Sequence, residues 1–512
     1  MNDDERNDDD DLARRALGAL TDPILLPGVR ERLAAVSPED LTPEEAAALL
    51  ILSLMPGATQ PVSPVIAETV IRDIDPGATV PVRSALRVAA AARVHAERGR
   101  PGDGLRLIER AEREFTQVPG DEQDRVAVLT VWYVGGLIHQ LLGDYTAAVR
   151  LLERVTARNA PDHLRYTAMS FLALIFAEQG RIADALDLAT RAWDCKSSNA
   201  WDDDAHAIPS LSAFVLAHAA RLSPGDATWA VSRLDALLPR IAPQWTIGLL
   251  RVRAQYLCAV GEPRRASALI TQVTHGFDLP AASPALRQGV ALAEAQALLL
   301  QGAPGAAMTV ACTLLEASTS AAIRADAHLI QLCGLAALGR PRHVLTLAAE
   351  WRRDAVDATP SGQELLVSVA EYTVGRIDSA TRGMTRWLAG VEEHGAAAAG
   401  LLPPALLHRA LVGTGVLNQC PPALRAAATT SNALDAVAAK FSSITRTQRR
   451  LLDLLREHTT LEGVAAAGHV SRNTVKSHTA ALMATLGVSS RAEIVDVAES
   501  AGWYTLPARW RA

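Results

Sequence analysis

Along the middle of the chain, apolar residues run up to a glycine, break, and resume in an alanine-rich stretch. The clearest copies are "HQLLGDYTAAVRLL" around Gly143, "FAEQGRIADALDLA" around Gly180, "LCAVGEPRRASALI" around Gly261, "LLLQGAPGAAMTVA" around Gly302, "LAALGRPRHVLTLA" around Gly339 and "YTVGRIDSATRGM" around Gly375, with weaker ones at Gly99 and Gly225. Successive glycines lie 36 to 45 residues apart, room for two helices and two turns. Glycine ends the first helix in a left-handed cap, and a following proline cannot continue that helix. Alanines opening the second helix (Ala147/Ala148, Ala183/Ala185, Ala306/Ala307) let two backbones approach closely. No series of alternating strands bounded by turn signals is found. The pattern predicts an all-α chain with helical repeats over 86–400, preceded by a helical cap over 13–85. The cap has start signals at Ser37-Pro38 and Thr42-Pro43. Residues 401–441 read as a helical connector, in which 395–404 and 413–432 loosen the chain around short helices.

From Ile444 the pattern changes to four short helices in 442–502. "ITRTQRRLLDLLREH" has Thr445 as its cap. "TTLEGVAAAGHV" runs from a Thr460 cap to a break at Gly468. Ser471 caps a third helix that ends near Gly487, and Ser489 or Ser490 starts a fourth. At about 100° per residue, Val475, Thr479, Leu482 and Leu486 fall on one side of the third helix. Asn473, Lys476, Ser477 and Ala480 fall on the other. If the apolar side packs inward, Lys476 points outward near the helix N-terminus, where the second helix of such a unit meets base edges. An ammonium there donates to guanine or phosphate, and Asn473 suits adenine. Arg472, Thr474 and His478 are placed for phosphates.

The repeat copies resemble tetratricopeptide (TPR) repeats, most closely in "LGDYTAAVRLL", although their period exceeds that family's. The resemblance implies a TPR-like α-solenoid with an extended docking surface. "ITRTQRRLLDLLREHTTLEGVAAAGHVSRNTVKSHTAALMATLGVSSRAEIV" resembles the LuxR/GerE-type DNA-binding domain of bacterial transcription factors. The carriers are Ser471, Thr474, Val475, Lys476 and His478, then Leu486, Gly487, Val488, Ser490 and Arg491, with Val464-Ala465 for the usual pair. That resemblance implies base contacts from Lys476 and Ser477, a phosphate contact from Thr474, and a homodimer through the fourth helix at Ala492, Val495 and Ala498. Gln448, Gly463, Gly468, Ala480 and Thr485 depart from the family's habits, Gly468 by replacing a core leucine. Weak DNA binding by a lone domain follows. Solenoid plus C-terminal domain resembles MalT-like regulators without their NTPase module.

Composition sharpens this expectation. The chain has 512 residues and net charge −6, yet residues 441–512 carry +3 and the rest −9. DNA contact must therefore come from a few placed side chains. Only three lysines occur, and none closes a GxxxxGK[ST] phosphate loop. HExxH and GxSxG are missing, so no enzyme, metal or cofactor is expected. Cys195, Cys258, Cys312, Cys333 and Cys420 are scattered without a CxxC pair, which suits buried thiols in a reducing cytoplasm. The acidic segment 1–12 reads as a disordered tail and 503–512 as a C-terminal tail, and no uninterrupted apolar run of membrane-spanning length is evident. Trp132, Trp193, Trp229 and Trp245 line an effector groove or pack between repeats. The expectation is a cytoplasmic, dimeric regulator that binds double-stranded DNA and senses a ligand, peptide or protein through its repeats. The alternative is a TPR-like interaction scaffold whose helix-turn-helix domain is degenerate and binds no DNA.

Overall fold

The computed structural model describes residue 37 and residues 41–505, apart from 55–63, 72–83, 98–99, 116–120, 158–159, 199–203, 242, 280–281, 319 and 355–360. Segment 1–12, residues 38–40 after Ser37, much of 13–85 and the end from 506 lie outside them. The described residues form 27 α-helices, several 3₁₀ turns and no strand. In order these are α1 Pro43–Leu54, α2 Pro64–Ile71, α3 Ala85–Glu97, α4 Pro101–Glu114, α5 Glu122–Leu142, α6 Tyr145–Ala157, α7 Asp162–Glu178, α8 Ile182–Ser198 and α9 Ile208–Ala220. Next come α10 Thr228–Leu237, α11 Pro243–Ala259, α12 Pro263–Gly276, α13 Pro284–Leu300, α14 Pro304–Ala317, α15 Ala321–Ala337, α16 Pro341–Asp354, α17 Ser361–Thr373 and α18 Ile377–Ala389. The last nine are α19 Val391–His394, α20 Ala397–Gly400, α21 Pro404–Gly413, α22 Pro422–Thr429, α23 Ala433–Ser442, α24 Arg446–Glu457, α25 Leu461–Gly468, α26 Arg472–Leu486 and α27 Arg491–Ser500.

The predicted turns account for the repeats. Gly143, Gly180, Gly261, Gly302, Gly339 and Gly375 all have φ between 63° and 86°, a region that glycine enters without Cβ strain. After each one the next N–H reaches back five residues, as in Asp144→His139 at 2.9 Å and Arg340→Leu335 at 2.9 Å, closing a Schellman cap. At the weak copy near Gly225 the left-handed residue is Leu222 (φ 57°), and Gly99 lies outside the described residues. Of the alanine pairs, Ala148, Ala185 and Ala307 are fully buried. Thr42 caps α1 in a capping box, exchanging bonds with Glu45.

The chain divides into two compact units, one built from the chain up to Ala217 with Asp226–Val252 and Val273–Arg287. In this first unit α3 packs on α4, α5 on α6 and α7 on α8. Its α5 and α7 are apolar nearly all round. The stretch Asp124–Leu142 of α5 is long and apolar enough to cross a membrane by length and composition, although Asp124, Arg125 and His139 interrupt it, and 78% of its most apolar window is buried against neighbouring helices. Such an all-round apolar helix is the core of a helical stack.

The second unit comprises His218–Gly225, Arg253–Gln272 and Gln288 onward. There α14 packs on α15 and α17 on α18. One continuous apolar core runs from Leu292 to Tyr504. The connector contributes Leu402, Leu407, Leu411, Leu424, Leu434 and Phe441 to that core, Leu402 and Leu424 from the stretches expected to loosen. Trp503, assigned to a tail by its position, is completely buried, and Tyr504 nearly so.

Candidate nucleic-acid interface

Side-chain caps start each of α24–α27. Thr445 and Gln448 form a capping box at the head of α24, with Thr445 N–H donating to Gln448 Oε1 at 2.8 Å. Gln448 thus completes the cap with its side-chain amide. Thr460 accepts from Gly463 N–H at 3.1 Å, so the glycine's backbone is used where its side chain is missing. After α25 the left-handed residue is His469 (φ 52°). Ser471 caps α26 by accepting from Thr474 N–H at 3.1 Å, and Ser490, not Ser489, caps α27. Ser489 instead donates to Glu493 Oε1 at 2.8 Å and, through its N–H, to Oε2 at 2.9 Å. These bonds hold the Glu493 carboxyl below the usual carboxylate range.

Inside α26, Val475, Thr479, Leu482 and Leu486 are buried and form its inner face. Asn473, Lys476, Ser477 and Ala480 are exposed on the other side. The remaining candidates are differently engaged. Arg472 is exposed and paired with Glu462, Nε to Oε1 at 2.9 Å, so a phosphate has to compete with that carboxylate. Thr474 is half-buried, and its hydroxyl shares a 2.8 Å hydrogen bond with the Ser471 hydroxyl. His478 is half-buried and lines a cavity of about 580 Å³. On α27, Ala492 is exposed and Val495 half-buried, while Ala498 is fully buried inside its own bundle.

That cavity was not legible as a site. It is lined by Leu451, Leu454, Val464, Val470 and Val475, beside the bare backbone of Gly468, and by the polar Arg446, Arg450 and His478. A side chain at 468 would enter this space, since even its Cβ would lie 3.3 Å from Leu454 Cδ1. Arg446 and Arg450 are exposed cations close to His478, and they supply positive charge that the counting of recognition-helix residues missed. The signal was the run "TRTQRR". Its middle arginine does something else, because Arg449 Nη2 donates to Gly339 O at 2.9 Å.

Capped helices at these positions, with a polar outer face on the third, are the parts of a helix-turn-helix reader. Residues 442–498 match the family described as bacterial regulatory proteins, luxR family. No curated protein matches the chain. The C-terminal segment is a LuxR-type helix-turn-helix domain carried by an all-helical chain, which supports a DNA-binding transcription regulator.

Proposed function

We propose that the protein is a sequence-specific transcriptional regulator that reads DNA through Lys476, Asn473 and Ser477, binds phosphate with Arg472, Thr474, His478, Arg446 and Arg450, and acts as a homodimer. The observation that carries this reading is the exposure of Lys476 while its neighbour Val475 is 1% exposed in the core. The helix cannot rotate to hide the lysine without exposing Val475, Leu482 and Leu486. Selecting random duplexes on the full chain should enrich a short inverted repeat. Lys476→Ala should then cost ~1–3 kcal/mol of binding and relax the preference at about one base position. Equal affinity of wild type and variant removes Lys476 as a reader, and enrichment of no motif favours the scaffold alternative.

The sensing role we assign to an aromatic patch in the first unit, in the manner of MalT-like regulators without the NTPase module. Trp132 is buried and Trp245 leans on Phe171 at 5.9 Å, which suits packing. Trp229 is 40% exposed, edge-on to Trp193 at 5.1 Å and to Phe214 at 5.3 Å. Lys196 Nζ and the Arg233 guanidinium lie over the Trp193 ring at 5.1 and 5.3 Å. An exposed indole braced by two rings offers stacking area at little entropic cost. An acidic peptide or aromatic anion that binds here should quench tryptophan emission in wild type and not in Trp229→Ala. Equal quenching in both moves the sensor elsewhere.

A further inference from the structure

Beyond Ser500, past the segment that matches the family, the chain turns back onto the repeats of its own unit. Gly305 N–H, in the first turn of α14, donates to Ala501 O at 2.9 Å. The backbones of Gly305 and Gly502 touch so closely that a Cβ on Gly305 would overlap the Gly502 carbonyl. Trp503 then lies fully buried, stacked on Phe441 with centroids 5.6 Å apart and planes at 19°. Its Nε1–H donates to Asp453 Oδ1 of α24 at 2.9 Å. From the repeat side, the Arg340 guanidinium sits 4.6 Å over the Trp503 ring, with 1% of the residue exposed. Two further bonds tie the same place: Arg449 to Gly339 O, and Tyr504 Oη to Leu452 O at 3.1 Å. A Cβ on Gly339 would come within 2.6 Å of Ser442 Cα, so both turns are matched to the helices laid across them.

These contacts are not those of a domain on a flexible tether. A buried arginine held against a buried tryptophan is costly to separate, because opening breaks the ring–guanidinium contact and exposes the indole to water. None of the joint residues belongs to the reading face, and Arg472, Asn473, Lys476 and Ser477 stay exposed with the joint closed. We propose that the DNA-binding domain is bolted to α14–α16 by the Gly305–Gly502 crossing and the Arg340–Trp503–Asp453 stack, and that this bolt stays closed while DNA occupies the reading face. The repeats then aim the reading helix, and a rearrangement of α14–α16 moves it as a rigid body. The second half of the proposal rests on the DNA-binding reading above.

Hydrogen–deuterium exchange on the full chain tests both halves. Gly305→Ala raises helix propensity in α14, so it spares the arm while forcing the crossing apart. It should speed exchange of amides in 499–505 by at least tenfold without changing those of Leu482–Leu486. Adding a 30-base-pair random duplex at low salt should slow exchange over Arg472–His478 and leave 499–505 as slow as before. The bolt is overturned if Gly305→Ala exchanges like wild type, whether or not DNA binds. Its closed state on DNA is overturned if the duplex accelerates 499–505, the behaviour of an autoinhibitory clasp. If the duplex protects nothing, the DNA-binding reading fails, and with it the closed state on DNA, while the Gly305→Ala comparison still decides the joint.

Discussion

At the scale of single residues, charge at the joint is unbalanced. Arg340 and Arg449 meet there with Asp453. Burial, and then Arg449, pull the Arg340 guanidinium down to about 10, against a smaller lift from Asp453. His343 titrates below its usual range because it is partly buried and then because Arg340 and Arg449 repel a third cation. The sign follows from linkage. A histidine whose folded pKa is depressed binds fewer protons folded than unfolded, so stability is unaffected well above pH 6.5 and falls as pH drops through the depressed value. The melting midpoint should therefore fall more in wild type than in His343→Gln between about pH 7.5 and about pH 5.5, where a histidine titrates. Parallel pH profiles for the two proteins would remove His343 from the account. The cysteines have no comparable part. None of the five forms a disulfide, and burial pushes Cys258 up to about 12, far from a reactive thiolate.

At the scale of elements, what is local was legible. Gly143, Gly180, Gly261, Gly302, Gly339 and Gly375 were read as helix ends because a left-handed cap needs only glycine and the residues beside it. The inner and outer faces of α26 followed from helical geometry, and Thr445, Thr460 and Ser471 from the need to satisfy the first amides of a helix. What was misread depends on partners distant in the sequence. Residues 395–404 and 413–432 looked loose because their prolines and glycines interrupt the period. Yet Pro404 and Pro422 stand at helix starts, where the missing N–H costs nothing, and the leucines between them fill the common core. Ala498 was placed at a dimer face by resemblance, but helix α27 buries it inside its own bundle, leaving Ala492 and Val495 for any partner. The cavity beside Gly468 was half legible: the missing leucine was noticed, the space it leaves was not.

At the scale of the whole second unit, the core does not stop where the family match stops. Phe441 precedes that segment and Trp503 follows it, and the two rings stack between the segment and the repeats. Sequence pattern alone could not pair Gly305 with Gly502 or Arg340 with Trp503, since no period links residues so far apart. If the unit is one cooperative body, removing a few residues at its end should weaken far more than the end itself. Truncation after Ser500 deletes a fully buried indole, uncovers Phe441 and removes the ring that the Arg340 guanidinium packs over. Deleting a buried tryptophan side chain alone costs ~3–5 kcal/mol. Denaturant unfolding of the truncated chain should therefore begin earlier, with amides of α14–α16 losing protection together with those of α24–α27. If the repeats keep their protection and only α24–α27 loosens, the helix-turn-helix domain is an appendage, and its apolar continuity with Leu292–Val416 carries no cooperative energy.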